Sequence, residues 1–90
     1  MEMYPVFISC KYDAEDPTPS RKTYSVFVPP ELLSFAVALK DATIGDGRWE
    51  IEAVQIASPK GSLKKSTDHH CASLSEFIHE FGTVTFRPSA

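Results

Sequence analysis

Apolar and polar residues alternate along this chain with two different periods. From Tyr4 to Tyr12 the period is two. Tyr4, Val6, Ile8, Cys10 and Tyr12 fall on one face and Pro5, Phe7, Ser9 and Lys11 on the other, the mark of a half-buried strand. Thr23–Val28 repeats the pattern with Tyr24, Val26 and Val28 inward. Between them, residues 13–20 (DAEDPTPS) hold two prolines and three carboxylates, which predict an exposed hairpin tip. Inward residues must face inward residues, so the numbers of paired residues sum to an even value. The loop length puts that sum near 34 and sets Phe7 opposite Phe27 on the outer face.

From Pro29 to Ala42 (PPELLSFAVALKDA) the period lengthens to that of a helix. Pro30 suits the first helical position, and Glu31 follows where the helix dipole favours a carboxylate. Leu32, Phe35, Ala36 and Leu39 form a stripe, widened by Leu33 and Val37. Glu31, Ser34, Ala38 and Asp41 make the opposite face, so the pattern predicts a central helix laid on a sheet. The two glycines of residues 43–47 (TIGDG) suit a helix C-cap and a tight turn.

A third strand is predicted over Arg48–Ala57. Trp49, Ile51 and Ala53 alternate with Arg48, Glu50 and Glu52, but Val54 and Ile56 fall on the wrong parity. That break predicts a bulge near Ala53 or a strand end covered on both sides. Residues 58–72 (SPKGSLKKSTDHHCA) follow neither period and read as one long irregular connection, functional or disordered. Ser73–Gly82 is punctuated as a short helix, with Ser73 as N-cap, Glu76 as its capping-box partner and Gly82 past the end. Thr83–Arg87 closes the pattern as a strand with Val84 and Phe86 inward, and Pro88–Ala90 reads as a frayed end. The expected fold is therefore α+β in ββαβαβ order: a single domain over residues 1–90, with a four-stranded, mainly antiparallel sheet and two helices packed on one face.

Composition narrows the function classes. At 90 residues and 42% hydrophobic content, one modest core is expected, burying roughly 60 to 65% of the unfolded chain's surface. No second lobe forms a cleft. Twelve acidic against nine basic residues give a net charge of −3, the wrong sign for a general nucleic-acid binder. The segment MEMYPVFISC lacks the basic start and apolar length of a signal peptide, and no run approaches the ~18 apolar residues of a membrane span. These features predict a cytoplasmic protein with no membrane association. Cys10 and Cys71 are too few for a disulfide scaffold and are expected as reduced thiols.

Candidate chemistry is sparse. Asp68, His69, His70 and Cys71, with His79 further on, are the one cluster of metal-ligand types, but the paired spacing of structural zinc sites is missing. Cys71 could serve as a nucleophile beside His69, His70 or His79, although nothing marks an orienting group or an oxyanion hole. With no phosphate loop, nucleophile elbow or paired-carboxylate motif, neither catalysis nor a metal or other cofactor is expected. Lys60, Lys64 and Lys65 supply an alternative, a phosphate contact in a nucleic-acid accessory protein. The aromatic pair Phe7 and Phe27 superficially resembles the stacking platform of an RNA-recognition motif, but the strand order differs and Glu50 and Glu52 project from the same face.

The favoured expectation is protein binding. Phe7 and Phe27, ringed by Ser9, Ser25, Lys11, Arg48, Glu50, Glu52, Thr83 and Thr85, have the make-up of a contact patch. Asp13, Glu15 and Asp16 at the hairpin tip, with Asp41 and Asp46 near the second turn, would suit an arginine-rich partner. A small acidic domain without catalytic residues fits an inhibitor or adaptor that occludes a site on a larger protein complex, or one that forms a homodimer. Phages and mobile elements use such antagonists against host systems; that step is an analogy from size.

Overall fold

The computed structural model describes residues 2–12, 20–45, 49–58 and 69–86, and every structural statement below concerns those residues. Strands β1 (Tyr4–Tyr12) and β2 (Ser20–Val28) pair antiparallel. Their alternation buries Val6, Ile8 and Cys10 from one strand and Tyr24, Val26 and Val28 from the other. The register runs from Tyr4↔Val28 to Tyr12↔Ser20, two residues tighter than the expected sum. Parity is kept, but Phe7 lies opposite Ser25 and Phe27 opposite Pro5. The shift arises because β2 begins at Ser20, with Lys22 on the inward parity. Its stem can lie along apolar surface while its ammonium caps the Trp49 ring, 5.1 Å from the centroid.

The stretch read as one central helix is divided. Pro30–Leu32 and Leu39–Asp41 are 3-10 turns flanking a six-residue helix, α1 (Leu33–Ala38). A third strand, β3 (Ala42–Ile44), follows where a helix cap was expected. β-Branched Thr43 and Ile44 favour extended backbone, and Ile44 is fully buried between two neighbouring strands. The turn is left to Gly45, whose φ of 68° suits a residue without Cβ.

Strand β4 (Trp49–Ile56) pairs antiparallel with the free edge of β1. Cys10 faces Ile51 while Ser9 faces Ala53, leaving Glu52 as the extra residue of a bulge. The bulge returns Val54 and Ile56 to the inward parity, opposite Ile8 and Val6. This is the physical resolution of the break in alternation. Within the stretch read as irregular, His69–Cys71 forms strand β5, parallel to β2. Residues 59–68 of that stretch lie outside the described residues.

Helix α2 (Leu74–Phe81) begins at Ser73, whose hydroxyl accepts the Glu76 amide at 3.1 Å, and Glu76 in turn accepts the Ala72 amide at 2.8 Å. It ends at Gly82, with φ of 85°. Strand β6 (Val84–Phe86) pairs with β3. The expected four-stranded, mainly antiparallel sheet in ββαβαβ order is thus corrected. The sheet has six strands in the order β5-β2-β1-β4-β3-β6, and the β2–β5 pair is parallel. Three-residue β3 and β5 escaped the sequence pattern because each lies inside a stretch that reads as a cap and turn or as an irregular connection, and three residues there show barely one alternation.

Ala36 and Leu39 from the α1 region, with Leu74 and Phe77 from α2, share one buried cluster with Val6, Ile8, Tyr24, Val26 and Ile44. Both helices therefore cover the same face of the sheet. No helix among the described residues is long and apolar enough to cross a membrane.

Candidate functional site

The face of the sheet away from the helices carries Phe7, Ser9, Lys11, Ser25, Phe27, Glu50 and Glu52, on which a contact patch was expected. Phe27 is 41% exposed, whereas Phe7 is only 7% exposed, so Phe7 is not the projecting anchor that its parity suggested. It sits on a central strand, flanked by Ser25 of β2 and Gln55 of β4. Phe27 meets the edge of the His70 ring at 5.5 Å, and His70 Nδ1 lies 2.9 Å from the Ser25 hydroxyl. Glu52, thrown out by the bulge, pairs with Arg21 at 3.3 Å. That exposed pair contributes little to stability and neutralises the patch locally. Glu50 is half-buried opposite Lys11 and Thr43. Arg48, Asp13, Glu15 and Asp16, and the lysines Lys60, Lys64 and Lys65 of the nucleic-acid alternative, lie outside the described residues.

The cluster of metal-ligand types is split by β5. Strand alternation sends His69 to the Tyr24 face and His70 to the Ser25 face, so the adjacent imidazoles diverge. Asp68 lies outside the described residues and His79 is exposed on α2. Among the described residues no three metal-ligating side chains converge.

Cys71 instead belongs to a packed polar group under α2. Glu80 accepts the Tyr24 hydroxyl at 3.2 Å through one oxygen and lies 4.0 Å from the Cys71 sulfur through the other. The Tyr24 ring is stacked on His69 at 4.7 Å and meets the edges of Phe77 and Phe81. Burial, then the carboxylates Glu80 and Glu76, push the Cys71 thiol up. Burial first and Glu80 second do the same to Tyr24. Burial pushes Cys10 up to about 12, against a lowering by Lys22. A nucleophilic cysteine needs the reverse, a neighbour that favours thiolate. The Ser25–His70 pair has nucleophile–base spacing, but the described partners of that imidazole are the Ser25 hydroxyl and the Phe27 ring, with no carboxylate to orient it as in a triad.

A further surface lies on the helix side. An open groove of about 320 Å³ runs between α1 and α2, lined by Leu32, Phe35, Leu74, Ser75 and Ile78. Leu32 and Phe35 are 41% and 38% exposed. Phe86, on the inward parity but at the sheet edge, reaches the Phe35 ring at 6.0 Å. Sequence reasoning placed Leu32 and Phe35 in the core stripe, and only Ala36 and Leu39 of that stripe are buried. The available signal was its width. Leu32, Leu33, Phe35, Val37 and Leu39 are more large apolar side chains than one helix face can bury.

Comparison with models of known protein families, with curated proteins and with solved structures finds no match.

Proposed function

We propose that this protein is a small, non-catalytic protein-binding module that occludes a site on a larger protein or complex, as an inhibitor or adaptor. The observation that carries the reading is the distribution of exposed large apolar residues. Of the seven among the described residues, Leu32, Phe35, Val37 and Phe86 lie on the helix side together with Ile56 on the inward parity of β4, and the first two line the α1/α2 groove. Aromatic and aliphatic side chains left half in water, beside a groove that can receive a partner's side chains, are the make-up of an interface centre. Phe27, with His70 and Ser25 beside it, forms a second and smaller patch on the sheet. Two buried free cysteines suit the reducing interior of a cell, where we place the protein's action. An antagonist from a phage or mobile element is the biological role that suits this size and chemistry.

Purification of a tagged copy from the native host tests the reading. A larger protein should co-purify in stoichiometric amount and survive nuclease treatment. Recovery of nucleic acid alone would contradict the proposal and favour the lysine-rich stretch.

A further inference from the structure

The chemistry of the partner segment can be read from the groove and its surroundings. Four of the five lining residues are apolar, and Ser75 is the fifth. A small-molecule site would add several convergent polar groups to fix orientation; this groove offers one hydroxyl, so it is suited to apolar anchors whose specificity comes from elsewhere. Charge supplies that specificity. Among the described residues the helix side carries Glu31, Asp41, Glu76 and Glu80 against Lys40 and, on the inward parity of β2, Lys22. Glu31 and Glu76 are the chain neighbours of the lining residues Leu32 and Ser75. Among the described residues the opposite sheet face is balanced, with Lys11 and Arg21 against Glu50 and Glu52.

An acidic surround decides between occupants. A second copy docking by the same groove would bring like-charged helix layers together. Nucleic acid and an anionic lipid surface are repelled for the same reason. A basic segment of another protein is attracted, and an amphipathic helix presents apolar side chains at the spacing a two-helix groove receives.

We infer that the α1/α2 groove binds a basic amphipathic helix of a partner protein, its apolar face on Leu32, Phe35, Leu74 and Ile78 and its lysines or arginines toward Glu31 and Glu76. The inference rests on the protein-binding reading and specifies its surface and partner chemistry.

The test is an NMR titration of the isotope-labelled full chain with synthetic peptides carrying leucines at i, i+3, i+4 and i+7 and otherwise lysine, glutamine or glutamate. The Leu/Lys peptide should shift the amides of Leu32, Phe35, Ser75 and Ile78. It should bind about tenfold or more tighter than the Leu/Glu peptide, with affinity that falls as salt rises. Ser75→Lys and Glu31→Lys, both at exposed positions, should each weaken the Leu/Lys peptide roughly threefold to fivefold without changing the fold seen by circular dichroism. Equal affinity for the three peptides would overturn the inference, as would groove shifts that grow with protein concentration alone, the signature of a second copy. Shifts confined to Phe27 and His70 would also overturn it while leaving a protein-binding module in place. That broader reading falls only if no protein partner is recovered from the host.

Discussion

The two helices lie on the same face of the sheet and yet are held there differently. α2 has a side-chain cap at Ser73, a positive-φ glycine at its end, and Leu74 and Phe77 almost wholly buried. The α1 region has no side-chain cap and buries only Ala36 and Leu39, while Leu32, Phe35 and Val37 remain 38–49% exposed. Its length is limited as well, since six helical residues cannot stabilise themselves without packing. The difference teaches that apolar periodicity marks the residues that favour contact, and not whether the core supplies that contact. In α2 the stripe is a core face, with Leu74 and Ile78 also bordering the groove. In α1 it is divided between the core and a groove open to solvent.

The largest test of this contrast is stability. Phe77→Ala should destabilise by about 3–5 kcal/mol, because it empties a fully buried site beneath Tyr24 and Phe81. Urea unfolding would measure it, and a loss below about 1 kcal/mol would remove α2 from the core.

Alkaline pH attacks the same sealed side. The folded-state thiol of Cys10 stands at about 12 against an ordinary 9.0, with Cys71 and Tyr24 also raised. A raised acid binds its proton more tightly in the folded chain, so its stabilisation is intact below pH 9 and is lost as pH climbs toward 12. Unfolding free energy should fall across that window, and Cys10→Ala should flatten the decline. A wild-type curve level from pH 9 upward would place these groups in water.

The effect of Ser73→Ala should be smaller, about 1 kcal/mol, for the loss of the bond to the Glu76 amide. Smallest of all is Phe35→Ser, at about half a kilocalorie or less, as for a surface residue. A Phe35→Ser cost near that of Phe77→Ala would erase the distinction between the helices.

How much of this was legible follows from the range of each signal. The β1/β2 alternation, the parity break that predicts a bulge near Ala53 or a strand end covered on both sides, and the capping box of α2 are all written within a few residues; the structure has the alternation, the capping box and, of the two alternatives, a bulge at Glu52. The hairpin register slipped by two because parity constrains only even steps, and Lys22, a charged residue on an inward position, gives no local sign of the longer β2. Strands β3 and β5 depend on partners distant in the chain: Ile44 on Trp49 and Val84, Cys71 on Val26. No local pattern reveals them. Of the candidate site, Phe27, Glu50 and Glu52 were placed on the correct face, but the depth of Phe7 depends on the sheet's width. The α1/α2 groove was hidden because its lining residues carry the same apolar pattern as the core.

The central claim is that the protein binds a partner through the side of α1 that its core leaves uncovered. The most direct measurement is the affinity of the recovered host partner for the wild-type chain, Phe35→Asp and Phe27→Asp, by calorimetry, with each variant first shown to be folded. Loss of an interface anchor worth about 2 kcal/mol or more predicts that Phe35→Asp binds at least roughly thirtyfold more weakly, while Phe27→Asp stays within a few-fold of the wild type. A folded Phe35→Asp chain that binds with full affinity would contradict the account.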